Sequence, residues 1–256
     1  MTAPSGTPEI QLIGLRDVPE VQKGADIAAV AQEALAAAGQ TLQDGDILVV
    51  THKIISKAEG RLIDMREVEP SELALTFATA WGKDPRHVEM VLRESARIVR
   101  MDRGIIISQT HHGFVCANAG VDASNVPGDD TLCLLPVAPD MSAHALREKL
   151  VAAAGADVAV IITDSFGRPW RNGIVNIAIG VAGIAPLVDY RGQPDDYGRV
   201  MSVSVIAIAD EIASAAELVM GKVSRCPIVL VRGYAYERAE GAASEIVMDR
   251  SMDLFP

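Results

Sequence analysis

Residues 98–136 read "IVRMDRGIIISQTHHGFVCANAGVDASNVPGDDTLCLLP", and they hold four strand-like runs with no helical stretch between them. The runs are rich in Ile, Val, Phe and Leu and are bounded by Gly, Asp and Asn, as strands are. Strands that follow one another this closely pair antiparallel, because a parallel partner needs a long crossover. Outside the block, strands and helices interleave. "DILVV" running into "THKII" (46–55), "VAVIIT" (158–163), "VNIAIG" (175–180), "VSVIAIA" (203–209) and "PIVLVRG" (227–233) read as strands. The expected fold class is therefore α+β, or mixed α/β, with parallel and antiparallel strands in packed sheets, and not a clean doubly wound sheet.

Helix signals fill the gaps. Asp26 caps a run over 27–39 that stops at Gly39, and Ser71 caps one over 72–81 that stops near Gly82. Asp84, with Pro85 just inside the start, opens a helix expected over 85–99. Two more are expected over 141–155 and 210–221.

The chain has 256 residues, enough to bury a sizeable core as one large domain or two intimately joined ones. Hydrophobic residues make up 49%, yet no apolar stretch approaches the ~18–20 residues of a membrane helix. The start, "MTAPSGTPEIQ", lacks a basic and an apolar region, so a cytoplasmic protein with a flexible tail over 1–8 is expected. A net charge of −11 disfavours nucleic acid and anionic membranes as partners, and any anionic substrate needs local cations or a metal. Cys116, Cys133 and Cys226 have no metal-type spacing and read as buried free thiols. The common phosphate-loop, dinucleotide, nucleophile-elbow and zinc signatures are absent.

Three loops collect the polar groups. In "VVTHKIISKAEGR" (49–61), Thr51, His52, Lys53, Ser56 and Lys57 continue a strand towards a Gly turn; they are either an edge strand's charged face or a phosphate contact, with Lys57 the best suited. In "HHGFVCANAGVDASNV" (111–126), Asp122, Ser124 and Asn125 form an Asx turn or offer a carboxylate and an amide to a cation and ligand. His111 and His112 read as loop residues. In "IITDSFGRPWRNG" (161–173), Asp164 ends a strand, where α/β sheets gather ligands, and Ser165 adds a neutral oxygen. Arg168 and Arg171 are either solvated surface residues or hold a phosphate or carboxylate in a bidentate fashion.

Together "THKIISKAEGR", "HGFVCANAGVDASNV", "ITDSFGRPWRNG" and "ADEIASAAELVMGKVSRCPIVLVRG" resemble the coenzyme F-420 gamma-glutamyl ligase family, in the family's order from about residue 9 to the end. The resemblance implies a single ligase domain over 9–256, without the C-terminal nitroreductase-like domain of some relatives, in an intertwined homodimer. It implies a GTP-dependent amide ligase that activates the phospholactyl carboxylate of the deazaflavin precursor as an acyl phosphate, which L-glutamate attacks. The implied cofactors are two Mg²⁺ or Mn²⁺ ions, with K⁺ as a further candidate.

Carried over by position, Asp122 and Asp164 match metal ligands and catalytic carboxylates, and Ser165 matches a ligand of the second ion. Lys57 and Asn125 match nucleotide contacts, and His52 stands where relatives carry a small hydroxyl residue. A nucleotide-binding turn follows Gly14 from Leu15, longer here than in some relatives. Met220, Gly221 and Lys222 match another nucleotide loop, with Lys222 a cation where some relatives have a neutral amide. Two other readings stay open: the same chemistry on another polyglutamylated cofactor, or a GTP- and metal-binding module without catalysis.

Overall fold

The computed structural model describes residues 7–254; residues 1–6 of the expected tail lie outside them. Its main sheet has five strands in the order β1 (Gln11–Leu15), β12 (Ile228–Arg232), β2 (Ile47–Thr51), β8 (Ala159–Arg168) and β9 (Arg171–Ala182). β1–β12, β12–β2 and β8–β9 pair antiparallel, whereas β2 and β8 run parallel with Ile47 opposite Ala159 and Thr51 opposite Thr163. The mixed pairing expected from the sequence is thus found within one sheet. Strands β2 and β8 lie inside it and are buried over Ile47–Val50 and Ala159–Ile162, which accounts for their unbroken Val and Ile runs.

Helices α1 (Ile27–Ala37), α5 (Pro139–Ala154) and α6 (Ile208–Met220) pack on this sheet around one apolar cluster. A second cluster, from Met65 to Leu134, lies among α3 (Glu72–Trp81), α4 (Pro85–Arg93), the β3–β7 pair (Leu62–Asp64 with Thr131–Cys133) and the β4–β5–β6 sheet (Ser95–Asp102, Ile105–Thr110, Val115–Ala117). Of the four runs read in residues 98–136, the first three form the antiparallel β4–β5–β6 meander, whereas the fourth, β7, pairs with β3 instead. A short ribbon, β10 (Val188–Asp189) with β11 (Val205–Ile206), completes the strands. No helix of the described residues is long and apolar enough to cross a membrane.

The expected caps form. Asp26, Ser71 and Asp84 accept hydrogen bonds from Ala28, Ala74 and Arg86 backbone N–H groups, and Gly82 and Gly155 close their helices in the left-handed region. Four expectations need correction. "THKII" is not a strand: β2 stops at Thr51 and α2 (His52–Ala58) begins at once, closed by Arg61 N–H to Ser56 C=O at 2.8 Å. An apolar run this continuous fits either periodicity, and β2 already has a partner on each side, so no edge strand arises there. Helix α4 ends at Arg93 because "SARIV" joins the meander, and of "VSVIAIA" just Val205–Ile206 is strand, Ile208 opening α6. Finally, "IITDSFGRPWRNG" is the two arms of a long hairpin, so Asp164 sits within β8 and not at its end.

β9 is an edge of the main sheet, and helix carboxylates satisfy some of its outward backbone groups. Ala178 N–H donates to Asp210 Oδ1 and Val181 N–H to Asp140 Oδ1, both at 2.9 Å, from the first turns of α6 and α5. Burial pushes the Asp210 carboxyl above its ordinary value of 3.8, against the lowering pull of the Ala178 N–H. A raised carboxyl favours the folded state at pH below 3.8, and that contribution is lost as pH rises through the folded-state value. Asp210→Asn keeps an acceptor without the charge. Its stability relative to the parent is therefore expected to rise between pH 4 and 7, read from urea midpoints; a constant difference across that range would refute this.

Candidate active site

The parallel pairing of β2 and β8 brings both C-terminal halves to one side of the sheet. With Thr51 opposite Thr163, the next residues are His52 on α2 and Asp164 on β8. His52 is buried; its Nε2 lies 3.3 Å from Asp164 Oδ1 but off the line of a hydrogen bond, while Nδ1 meets Ser56 Oγ at 3.2 Å. Asp164 Oδ1 accepts the Ser165 N–H at 2.7 Å. Cys116 is close by, and burial, with the Asp164 carboxylate beside it, pushes its thiol up to about 12. It is a core residue with no thiolate at neutral pH.

The neighbouring position on α2, Lys53, reaches the second carboxylate. Its Nζ donates to Asp122 Oδ2 at 2.6 Å, Ser124 Oγ at 2.7 Å and Ser124 C=O at 2.9 Å. Asp122 is aimed there by a tight turn in which Asn118, Ala119 and Gly120 are all left-handed, and by paired backbone bonds to Cys133. Gly120 is required: a Cβ there would lie 2.8–3.0 Å from the Leu135 side chain. Burial acts to raise Asp122, but Lys53 and the Ser124 donors outweigh it and hold the carboxyl below its usual range.

Further along β8, Ser165 Oγ donates to Asn176 Oδ1 on β9 at 2.7 Å and accepts from the Lys222 ammonium. Asn176 in turn donates to Met220 Sδ at 3.7 Å, and Lys222 lies 3.1 Å from Glu217. Lys57, also on α2 and buried, pairs with Glu20 at 2.5 Å. Helix α2 thus carries three polar side chains to three segments distant in sequence.

The structure gathers Asp122, Asp164, Ser165, His52, Lys57 and Lys222 around α2 and the β8 strand. Asn125 follows on the exposed part of the Asp122 loop with φ 54°. Leu15 ends β1 fully buried, backbone as well as side chain, in register with Ile228 of β12, and Met220 is equally a core residue. Gly221 closes α6 at φ 56°. Arg168 and Arg171 face each other at the hairpin tip, about 13 Å along the strand from Asp164 at ~3.3 Å per residue. Arg168 Nη2 donates to Asn172 C=O at 3.0 Å. Lys53, Asn176 and Glu20 were not singled out as site residues by the motifs. An asparagine inside the apolar run "VNIAIG" was the one signal that could have marked Asn176.

Among the described residues no three His, Cys, Asp or Glu side chains form a metal cage. The donors present nevertheless suit Mg²⁺ or Mn²⁺, which take one or two carboxylates and complete their shells with water and phosphate oxygen. The orphaned buried His52 Nε2 beside Asp164 also marks a polar position left open.

A sequence profile of the F420-0:gamma-glutamyl ligase family matches residues 16–233. The chain belongs to this family. It is 46% identical over 250 residues to the coenzyme F420:L-glutamate ligase of Methanothermobacter thermautotrophicus, covering 96% of this chain and 98% of that protein. The ligase of the same name from Methanopyrus kandleri is 44% identical, covering 98% and 99%. That of Methanocaldococcus jannaschii is 42% identical over 215 residues, covering 84% and 86%. The gamma-glutamyl ligase match runs through every segment of the site from the turn after Leu15 to the loop after α6.

Proposed function

We propose that this protein joins L-glutamate to the deazaflavin precursor of coenzyme F420, using GTP. The first amide forms between the glutamate α-amine and the phospholactyl carboxylate, later ones through γ-carboxylates, with release of GDP and phosphate. The observation that carries this is near full-length similarity to proteins named coenzyme F420:L-glutamate ligase. A carboxylate is a poor electrophile, so phosphorylation supplies the leaving group that amide formation needs.

The residues present suit that chemistry. Lys53, Lys57 and Lys222 are the cations available to nucleotide phosphates in this strongly acidic chain, each paired here with a carboxylate, of Asp122, Glu20 and Glu217. Asp164, with the adjacent Ser165, and Asp122, paired with Lys53 of helix α2, would hold Mg²⁺ or Mn²⁺, which neutralises phosphate charge when bound. Glu20 keeps Lys57 fixed in the absence of nucleotide, and the buried His52 imidazole packs beside Asp164. Arg168 and Arg171 would meet the anionic acceptor or glutamate as it enters from the hairpin side. A homodimer in the cytoplasm completes the reading, supported by exposed Tyr197, Val200 and Val203 beyond β10 and by Ile174 near the hairpin tip.

Purified protein given GTP, Mn²⁺, L-glutamate and the precursor is expected to form one GDP for each glutamate that mass spectrometry finds added. GDP release that ignores the acceptor, or glutamate transfer without GTP, would overturn the proposal.

A further inference from the structure

We infer that Asn176 is a positioning residue of the site: by accepting the one proton of the Ser165 hydroxyl, it leaves the lone pairs of that oxygen to a cation. This rests on the ligase reading above. It adds to that reading a residue that acts through Ser165 and touches no substrate.

Asn176 is 3% exposed, a polar side chain within the apolar run of β9. A buried amide has to find partners, and this one finds them at both ends. Ser165 stands opposite it in the β8–β9 register, so the backbone pairing itself puts the two side chains on one face of the sheet. Asn176 Oδ1 accepts from Ser165 Oγ at 2.7 Å, and Nδ2 donates to Met220 Sδ at 3.7 Å. The reverse orientation of the amide would set Oδ1 against a thioether, which has no proton to give. The Met220 sulfur therefore decides which end of Asn176 meets Ser165.

A hydroxyl has one proton and two lone pairs. With its proton committed to Asn176, Ser165 Oγ faces the site as an acceptor alone, which is what a metal ion or an ammonium asks of it. The Lys222 ammonium donates to it from the loop after α6. Helix α6 also grips the same stretch of β9: Ser214 Oγ donates to the Asn176 C=O at 2.7 Å, and Asp210 accepts the Ala178 N–H at 2.9 Å. Met220 ends α6, and Gly221 and Lys222 follow it directly. Asn176 thus ties the Ser165 hydroxyl to the helix that presents the candidate nucleotide loop. Groups that fix the orientation of a metal ligand from behind typically contribute about 10–100-fold to metal affinity or activity.

The test is Mn²⁺ binding, followed by electron paramagnetic resonance on the full chain with a non-hydrolysable GTP analogue, with acceptor-dependent GDP release read alongside. Asn176→Ala, and Asn176→Leu, which fills the volume without an acceptor, are expected to weaken Mn²⁺ binding about tenfold or more. Ser165→Ala is expected to weaken it to a similar extent. Adding Asn176→Ala to Ser165→Ala is expected to cost less than about a further twofold, because Asn176 acts only through that hydroxyl. Asn176→Asp, which has the same shape and still accepts the proton, is expected to bind at least as tightly as the parent. Additive losses in the double variant, parent-like binding in Asn176→Leu, Asn176→Asp as weak as Asn176→Ala, or unfolding of both apolar variants overturns the inference, leaving Asn176 to serve the fold alone. GDP release by the parent that ignores the acceptor overturns the ligase reading and leaves these binding differences standing. No Mn²⁺ and no nucleotide bound by the parent overturns both.

Discussion

Asp164→Asn is expected to lower acceptor-dependent GDP release by about 10²–10³-fold or more while leaving the thermal midpoint nearly unchanged. Loss of one preorganised charge-stabilising group in an active site commonly costs this much. The structural side of the prediction follows from the contacts. Asparagine keeps an Oδ1 to accept the Ser165 N–H, fits the same volume between β2 and β9, and leaves His52 with its Ser56 partner. What it removes is the negative charge facing the open position. A variant that keeps activity within about threefold would refute the role of Asp164, and one that unfolds would show that its charge serves the fold.

The largest stability effect is expected far from the site, at Asp46. This side chain is 1% exposed at the entrance to β2. It accepts from Arg232 Nε at 2.8 Å and Nη2 at 2.7 Å at the end of β12, and from the Gln43 N–H at 2.8 Å. The pair joins adjacent strands to the loop that feeds them, and the carboxylate pushes the Arg232 guanidinium above its ordinary value. Asp46→Ala leaves that guanidinium with the Thr41 carbonyl and Gln40 alone. Breaking a buried pair from one side typically costs 3–5 kcal/mol, and the 22% exposure of Arg232 points to about 3 kcal/mol. For a domain of this size that is a fall of roughly 6–12 °C in Tm. A loss below about 1 kcal/mol in urea unfolding would show the pair to be dispensable.

Much of the framework was legible because it is local. Asp26, Ser71 and Asp84 sit at helix starts whose first backbone donors need an acceptor, and the side chain that supplies it is close in sequence. The antiparallel meander followed from strands too close together to cross over. The failures are of another kind. "THKIISK" contains nothing that forbids a strand, and it became a helix because β2 was already flanked by β12 and β8. "IITDSFGRPWRNG" looked like a strand ending in a turn, yet β9 pairs with it as far as Arg168, carrying both arginines to a distant tip.

By itself, the sequence determined the mixture of strand and helix, the helix caps, the acidic background that any phosphate site must overcome, and the motifs of a gamma-glutamyl ligase. The tertiary structure alone decided which charges meet. Lys53 lies 69 residues from Asp122, and Lys222 lies 57 from Ser165. Sequence spacing cannot rank such pairs. They form because β2 and β8 run parallel and deliver α2 and Asp164 to the same side, a choice made by the burial of two apolar strands inside one sheet.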